Sequence, residues 1–288
     1  MKYLYYPGCS LEGTSLEYNI STSVLMDAMD VQLEEIEDWN CCGATAAESN
    51  SHLLSYVLPA RNLALAEKMK DSNQILVPCS ACYLNLKKVE VAIKKDKDLL
   101  KKINKVLAEE DLVLKGDVTV RHLLDVLSND IDIETIKEVS QNKLSGLTIA
   151  PYYGCQCLRP FVVFDDPEDP HSMDKLIQAT GAQLFEWDMG GQCCGASNTS
   201  TKPEAGMALV GRILKSAKGA DAILTVCPMC QMNLESSQKK ISHKEGMDLD
   251  IPVLFLPQFL GLAMGKTKEE VRLDLNLSNT ERLIKARA

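Results

Sequence analysis

No uninterrupted apolar stretch of this chain approaches the roughly 20 residues that a membrane-spanning helix needs. The opening Met1-Lys2-Tyr3-Leu4-Tyr5-Tyr6-Pro7-Gly8-Cys9 has neither the apolar run nor the cleavage site of a signal peptide, so a cytoplasmic location is expected. Positive charge is not in surplus either: 31 Lys and Arg stand against 40 Asp and Glu, a formal net charge of −9. With no basic excess to displace counterions from phosphates, the composition argues against a nucleic-acid partner. A disulfide scaffold is also excluded. Eleven cysteines in 288 residues fall well below the roughly 8–10% of such scaffolds, and the number is odd. His52, His122, His171 and His243 are scattered and follow no ligand spacing. What is there is a chain 45% hydrophobic and 25% charged, the balance of a globular protein long enough for one large domain or two ordinary ones. In a reducing compartment its clustered cysteines are metal ligands or redox groups before they are bridges.

The cysteines repeat. Cys9, Cys41, Cys42, Cys79 and Cys82 form one set, and Cys155, Cys193, Cys194, Cys227 and Cys230 a second, with matching members offset by 146, 152 and 148 residues. Their flanks repeat as well. Cys41-Cys42-Gly43-Ala44 recurs as Cys193-Cys194-Gly195-Ala196, and Ile75-Leu76-Val77-Pro78-Cys79-Ser80-Ala81-Cys82 as Ile223-Leu224-Thr225-Val226-Cys227-Pro228-Met229-Cys230. Tyr5-Tyr6-Pro7-Gly8-Cys9 is answered by Tyr152-Tyr153-Gly154-Cys155. Three blocks aligned in order define two homologous domains, residues 1–143 and 144–288, with the boundary near 140–146.

Apolar periodicity predicts strands over 2–6, 31–36, 74–77 and 118–120 in the first half and over 147–150, 183–187, 222–226 and 253–256 in the second. Helices are expected over 16–29, 53–69 (kinked at Pro59), 123–127, 173–179 and 205–217, and another starting after Cys79. Alternation of strand and helix implies an α/β fold: two tandem, pseudo-symmetric domains, each a small, mainly parallel sheet flanked by helices. Each cysteine group then follows the carboxyl end of a strand, the edge where such sheets bind ligands. The run from Lys94 to Lys102 reads as an exposed helix face, and 265–288 as a polar tail, either partner-docking or mobile.

A structural zinc site takes four ligands, commonly from two C-x2-C pairs, and a cubane cluster also takes four cysteines. Neither explains a fifth. Adjacent residues of an extended loop point apart, so Cys41 and Cys42 should reach different metal atoms, which favours a polynuclear iron–sulfur cluster larger or more open than a simple cubane. Gly43 and Gly195 let the backbone turn sharply beside it. The doubled C…CCG…CxxC arrangement resembles the CCG-domain (cysteine-rich domain) family, and within it the B subunits of heterodisulfide reductases from methanogens, over nearly the whole chain. The resemblance implies two noncubane [4Fe-4S] clusters, one on Cys9, Cys41, Cys42, Cys79 and Cys82, the other on Cys155, Cys193, Cys194, Cys227 and Cys230. It implies a disulfide oxidoreductase that reduces the mixed disulfide of coenzyme M and coenzyme B to two thiols in methanogenesis. Such a chain works in a multi-subunit complex with a ferredoxin-like C subunit and a flavin-containing A subunit, and a hydrogenase or other electron donor beyond. The chain has no C-x2-C-x2-C-x3-C-P run of its own, so electrons are expected to arrive from another polypeptide. The alternatives are a CCG electron-transfer protein acting on another disulfide or on a quinone, and a zinc-stabilised scaffold.

Disulfide reduction takes two electrons, and two clusters facing one pocket are expected to deliver one each. Cys157, two residues after Cys155, has Leu11 at the matching step of the first half. Cys155 is the better ligand because its Tyr-Tyr-Gly lead-in matches that of Cys9. An anionic substrate needs local cations, for which Arg159 and then Lys202 are the candidates, with surface charge as the alternative. Arg159 follows one cluster loop and Glu12 the other, so the pocket should be unequal. Tyr6 and Tyr153 are expected to line the sheet edge rather than donate protons, and His122 to pack rather than titrate.

Overall fold

The computed structural model describes residues 1–44, 46–140, 143–281 and 283. The first half contains β1 (Lys2–Tyr5), α1 (Leu16–Ala28), β2 (Gln32–Glu35), α2 (Ala46–Asn50), α3 (Leu54–Met69), β3 (Gln74–Val77), α4 (Ser80–Lys95), α5 (Lys97–Leu107), β4 (Thr119–His122), α6 (Leu123–Asn129) and α7 (Ile133–Ser140). The second contains β5 (Thr148–Tyr152), α8 (Asp174–Gln178), β6 (Gln183–Leu184), α9 (Pro203–Ser216), β7 (Ala222–Thr225), α10 (Pro228–Glu245), β8 (Val253–Phe255) and α11 (Leu256–Ala263). Central strands such as Ile75-Leu76-Val77 and Ala222-Ile223-Leu224-Thr225 are buried throughout, as strands covered on both faces must be.

Both sheets are four-stranded and parallel, in the orders β2-β1-β3-β4 and β6-β5-β7-β8. The order reverses between β1 and β3, and again between β5 and β7. At such a switch point consecutive crossovers leave to opposite faces and open a crevice at the carboxyl edge. The two sheets are the α/β arrangement expected from the alternation.

Some elements depart from expectation, each for a local reason. The strand expected over 183–187 stops at Leu184 as a ladder, although Phe185 still donates its N–H to the Ile149 carbonyl at 2.8 Å. The next bond would need an N–H from Pro151, which has none, and the Pro151 carbonyl instead accepts from the Trp187 indole at 3.2 Å. The lysine-rich run is two helices, because the Asp96 side chain accepts from the N–H groups of Asp98 and Leu99 at 2.9 Å each and so starts α5. Helix α3, by contrast, lies where it was expected, with Pro59 inside it.

The polar C-terminal stretch is not a free tail within the described residues. Val271 is fully buried, and the Gln258 amide donates to the Val271 carbonyl and to Asn276 at 3.1 and 2.8 Å. Ser278 accepts from Val253 N–H at 2.9 Å, and the Asn276 amide donates to the Val253 carbonyl at 2.8 Å. These side chains satisfy polar groups that the outer strand β8 would otherwise leave open. Residues 284–288 lie outside the described residues.

The halves meet through matching elements. Tyr18 of α1 stacks on Phe255 at the end of β8, ring centroids 4.0 Å apart, and His122 at the end of β4 stacks on Phe164 at 6.0 Å. Helix α1 packs along α11, and α6 against α8. One buried apolar cluster runs continuously from β1 to α11, with a smaller one behind β7. Glu17, in the first turn of α1, is buried at this junction, 3.5 Å from the Gln231 amide nitrogen, which donates to Glu235 at 2.6 Å. Burial, with Glu235 adding and Arg272 opposing, pushes the Glu17 pKa up to about 7. The folded chain therefore holds a proton that the unfolded chain releases, and stability should fall as pH rises from the ordinary carboxylate value through about 7. In Glu17→Gln that loss disappears. Urea midpoints at pH 5 and pH 8 should differ less for the variant than for the parent; equal differences would show that Glu17 is solvated.

Candidate metal centres

Every cysteine of the repeat lies just beyond a strand. Cys9 follows β1, Cys41 and Cys42 follow β2, and Cys79 follows β3 and leads into α4, which carries Cys82 in its first turn. Cys155, Cys193, Cys194, Cys227 and Cys230 stand in the same relation to β5, β6, β7 and α10. The topology thus gathers each five-residue set at one sheet edge. Sγ atoms of Cys9 and Cys41 are 3.6 Å apart, those of Cys42 and Cys82 3.5 Å, and those of Cys194 and Cys230 3.6 Å. Cys9, Cys41 and Cys193 reach the surface, whereas Cys42, Cys79, Cys82, Cys194, Cys227 and Cys230 are buried.

Two kinds of glycine make this approach work. Gly8 and Gly154 have φ of +74° and +69°, and a Cβ on them would stand 2.7 Å from Cys82 Sγ and 2.9 Å from Cys230 Sγ. Only glycine leaves that space to sulfur. Gly43 and Gly195, singled out for the cluster loops, also have positive φ, but a Cβ there would strike Ala47 and Leu209, at 2.7 and 2.8 Å. They seat the loops on the following helices, and the Gly195 N–H also donates to Cys193 Sγ at 3.3 Å.

The loops are pinned by side chains that also repeat. Tyr6 donates its hydroxyl to the carbonyl of Asn40, just before Cys41, and Tyr152 to that of Gln192, just before Cys193, both at 2.8 Å. The repeat therefore pairs Tyr6 with Tyr152, and burial pushes both phenols far above their usual pKa. Tyr153, the other tyrosine expected at the sheet edge, accepts from Met173 N–H at 3.0 Å. Asn85 and Asn233 are two residues that motif reasoning passes over, although their match within the repeated block marks them. The Asn85 amide is 4.0 Å from Cys42 Sγ, and that of Asn233 donates to the Cys194 carbonyl at 2.8 Å.

Hydrogen bonds between the thiols share their protons unequally, so Cys41, Cys82, Cys155 and Cys230 are raised in pKa while their partners are lowered. Cys41 and Cys82 hydrogen-bond to Cys42 and hold it well below the ordinary thiol range. Cys155 does the same for Cys193, helped by the Gly195 N–H at 3.3 Å and the Arg159 charge. Cys230 lowers Cys194 and Cys227. The thiolate is the metal-binding form. Thiols gathered at one sheet edge are the donor type that holds iron–sulfur clusters. Among the described residues, no three His, Cys, Asp or Glu side chains close on a single point.

Cys157 is buried and donates to the Tyr153 carbonyl at 3.2 Å, while Cys155 faces Cys193. Arg159 is beside Cys193, but its guanidinium already binds the Pro167 carbonyl and Glu168, each at 3.0 Å, and the Gly191 carbonyl. Lys202 is exposed at the start of α9 and is not part of the cleft described next. His122 is fully buried and stays neutral, its pKa lowered by burial to about 4.

A cleft of about 130 Å³ lies against the second set, whose five cysteines all line it. Ala44, Ser80 and Ala81, which flank the first set, also line it, and no cysteine of the first set is among its described lining residues. No lysine, arginine or histidine is among its described lining residues.

The cysteine-rich (CCG) domain family matches residues 3–87 and 149–235, and the chain belongs to that family. It is 33% identical to the 8-methylmenaquinol:fumarate reductase membrane anchor subunit of Wolinella succinogenes, over 98% of this chain and 99% of the relative. It is 28% identical to the B subunit of the ferredoxin/F420H2-dependent CoB-CoM heterodisulfide reductase of Methanosarcina acetivorans, over 97% and 95%. Both relatives are subunits of reductase complexes. A crystal structure of a hypothetical protein from Helicobacter pylori shares the fold, with a TM-score of 0.75 at 16% identity, covering 96% of this chain and about half (52%) of that one. No described helix is long and apolar enough to cross a membrane.

Gly8→Ala should lose the iron and sulfide of the first set alone, and Gly154→Ala those of the second, because each methyl takes the space of one sulfur. Metal and sulfide analysis of anaerobically purified variants reads this out. Full loading of both variants would mean that the sulfurs move aside freely.

Proposed function

We propose that this chain is the cluster-bearing catalytic subunit of a cytoplasmic, multi-subunit disulfide reductase of the heterodisulfide reductase type, whose substrate is the mixed disulfide of coenzyme M and coenzyme B formed in methanogenesis. The observation that carries the reading is the cleft beside the second cysteine set, which residues flanking the first set also line. When bound, two noncubane [4Fe-4S] clusters, one on each set, supply the two electrons that disulfide cleavage takes, one from each. The chain itself positions the disulfide. The small side chains of Ala44, Ala81 and Ala196 leave room for an S–S bond between the loops. The apolar lining excludes water from the reacting sulfurs. Electrons come from a ferredoxin-like protein and a flavin-containing protein of the same complex, fed by a hydrogenase or other donor.

Anionic ends of the substrate reach past the cleft to Arg159. Glu168, its present partner, is largely exposed, and an exposed ion pair of this kind is weak enough to be exchanged for a substrate anion. Lys202 is the more distant of the two candidate cations. A second reading is supported by the cation-free lining and by the 33% identity to a menaquinol-linked relative: an electron-transfer protein that exchanges electrons with a quinone.

The anaerobic protein, given a reduced low-potential dye, is assayed against the heterodisulfide and against a water-soluble menaquinone analogue. Turnover of the disulfide is the expected result, and turnover of the quinone alone would replace this reading with the second. Arg159→Ala should raise KM for the disulfide about tenfold or more, since a charge-assisted contact contributes roughly 1.5–3 kcal/mol, while Glu12→Ala leaves it unchanged. Equal, small effects would place the anion contact elsewhere.

A further inference from the structure

The first half carries a helix that the second does without. Between β7 and β8 the chain crosses the sheet on α10 alone, whereas between β3 and β4 it makes α4, α5 and a 3-10 turn (Ala108–Glu110). Helix α5 lies outside both segments that match the cysteine-rich domain, and the second half shows that such a sheet closes without it. The inner face of α5 belongs to the core: Ile103 and Leu107 are buried, and Leu99 and Leu100 pack against the main apolar cluster.

The outer face is lysine. Residues 87–105 hold eight lysines against three acids, in a chain with a formal net charge of −9. Lys94 and Lys101 are paired, with Glu90 and Asp98 at 2.9 and 3.0 Å. Lys95, Lys97, Lys102 and Lys105 are exposed, and among the described residues no carboxylate pairs with them. Like charges at i and i+4, as in Lys97, Lys101 and Lys105, weaken a helix. Lys97 also stands in the first turn, where the helix dipole favours acids. An opposing negative surface would relieve both effects.

A groove of about 700 Å³ runs beside this face, with Lys95, Leu99 and Lys102 on one side and His52, Leu53 and Tyr56 on the other. The His52 and Tyr56 rings are 5.2 Å apart, and Lys88 Nζ stands 4.7 Å from the centre of the Tyr56 ring. An apolar and aromatic floor with a charged rim is the anatomy of a protein interface. A lipid surface fits less well, because the apolar side of α5 faces the core rather than outward. The groove is also joined to the first cysteine set. Helix α2 packs on the loop of Cys41 and Cys42, Ala47 against Gly43, and Lys88 reaches Glu48 of α2 at 3.9 Å.

We propose that α5 and the groove beside it dock an acidic protein surface, that of the polypeptide that brings electrons, and that these electrons enter at the first cysteine set. This rests on the reading that the sets hold iron–sulfur clusters fed by another polypeptide. Carboxylates of the partner pair with Lys95, Lys97 and Lys102, and an apolar side chain lies on Tyr56 and Leu99. In the step concerned, one electron leaves the reduced iron–sulfur centre of the partner, which is oxidised, and reduces the first centre; no bond is made or broken. The local positive field gathers an acidic donor onto this face although the chain as a whole repels it, and salt screens that attraction.

The test compares two variants of equal net charge: Lys95→Glu/Lys97→Glu/Lys102→Glu on the proposed face, and Lys239→Glu/Lys240→Glu/Lys244→Glu on α10. The probe is an acidic plant-type ferredoxin. In stopped flow, reduction of the anaerobic parent holoprotein by the reduced ferredoxin should slow as salt is raised. At low salt the α5 variant should be slower than the parent by about tenfold or more, the α10 variant should resemble the parent, and a zwitterionic reduced viologen should reduce all three alike. Carbodiimide coupling of the ferredoxin to the chain needs no cluster, and its cross-links should centre on Lys95, Lys97 and Lys102. Equal slowing by both variants, a rate indifferent to salt, or cross-links on α10 instead would overturn the proposal. So would sedimentation with vesicles of phosphatidylcholine and phosphatidylglycerol that the α5 variant alone loses while its ferredoxin rate is unchanged, which would assign the face to lipid. If the parent holds no clusters, the functional reading fails, and the cross-links still decide the surface.

Discussion

The approach of sulfur to a bare backbone is the constraint on which the site depends. Cys82 and Cys230 sit on the first turns of their helices and can meet the other thiols only if the chain after the first strand of each half passes within van der Waals contact of them. A Cβ at Gly8 or Gly154 would lie 2.7 or 2.9 Å from those sulfurs, closer than atoms can pack. Everything else serves that approach. Parallel strands bring three loops to one edge, the switch in strand order opens a crevice there, and Tyr6 and Tyr152 tie the loops carrying the paired cysteines to the strand beside them.

Duplication then gives the chain two such edges. The junction is built from equivalent positions: the residues ending β4 and β8, His122 and Phe255, each stack on an aromatic ring from the opposite half. The continuous apolar cluster crosses this junction, and residues of both halves line the cleft beside the second cysteine set. Symmetry is not complete, however. Cys157, Arg159 and the long loop leading to α8 belong to the second half alone, and Ser80 has proline as its counterpart.

Much of this was legible in the residues. The repeated cysteine blocks located both sets and the strand–helix alternation gave the sheet class, because spacing and periodicity report chain direction and burial. Features that depend on contacts distant in sequence were not legible. The shortened strand β6 follows from a missing N–H at Pro151, on the neighbouring strand. The polar segment after Gly265 reads as solvated because its order comes from Ser278 and Asn276 satisfying the groups of β8. Arg159 stands out by its closeness to Cys155, but its acceptors, Pro167, Glu168 and Gly191, come from loops whose approach no spacing reveals. Asn85 and Asn233 could have been found from the repeat, since polar residues kept at equivalent steps after each C-x2-C have no reason to match unless they serve the loops.

The central claim is that each half holds its own iron–sulfur cluster on five cysteines. Mössbauer spectroscopy of the anaerobically purified, iron-57-enriched chain, together with iron, sulfide and zinc analysis, tests it most directly. The account predicts about eight irons and a similar amount of sulfide per chain, with spectra unlike those of simple cubanes. Zinc with little sulfide would contradict it.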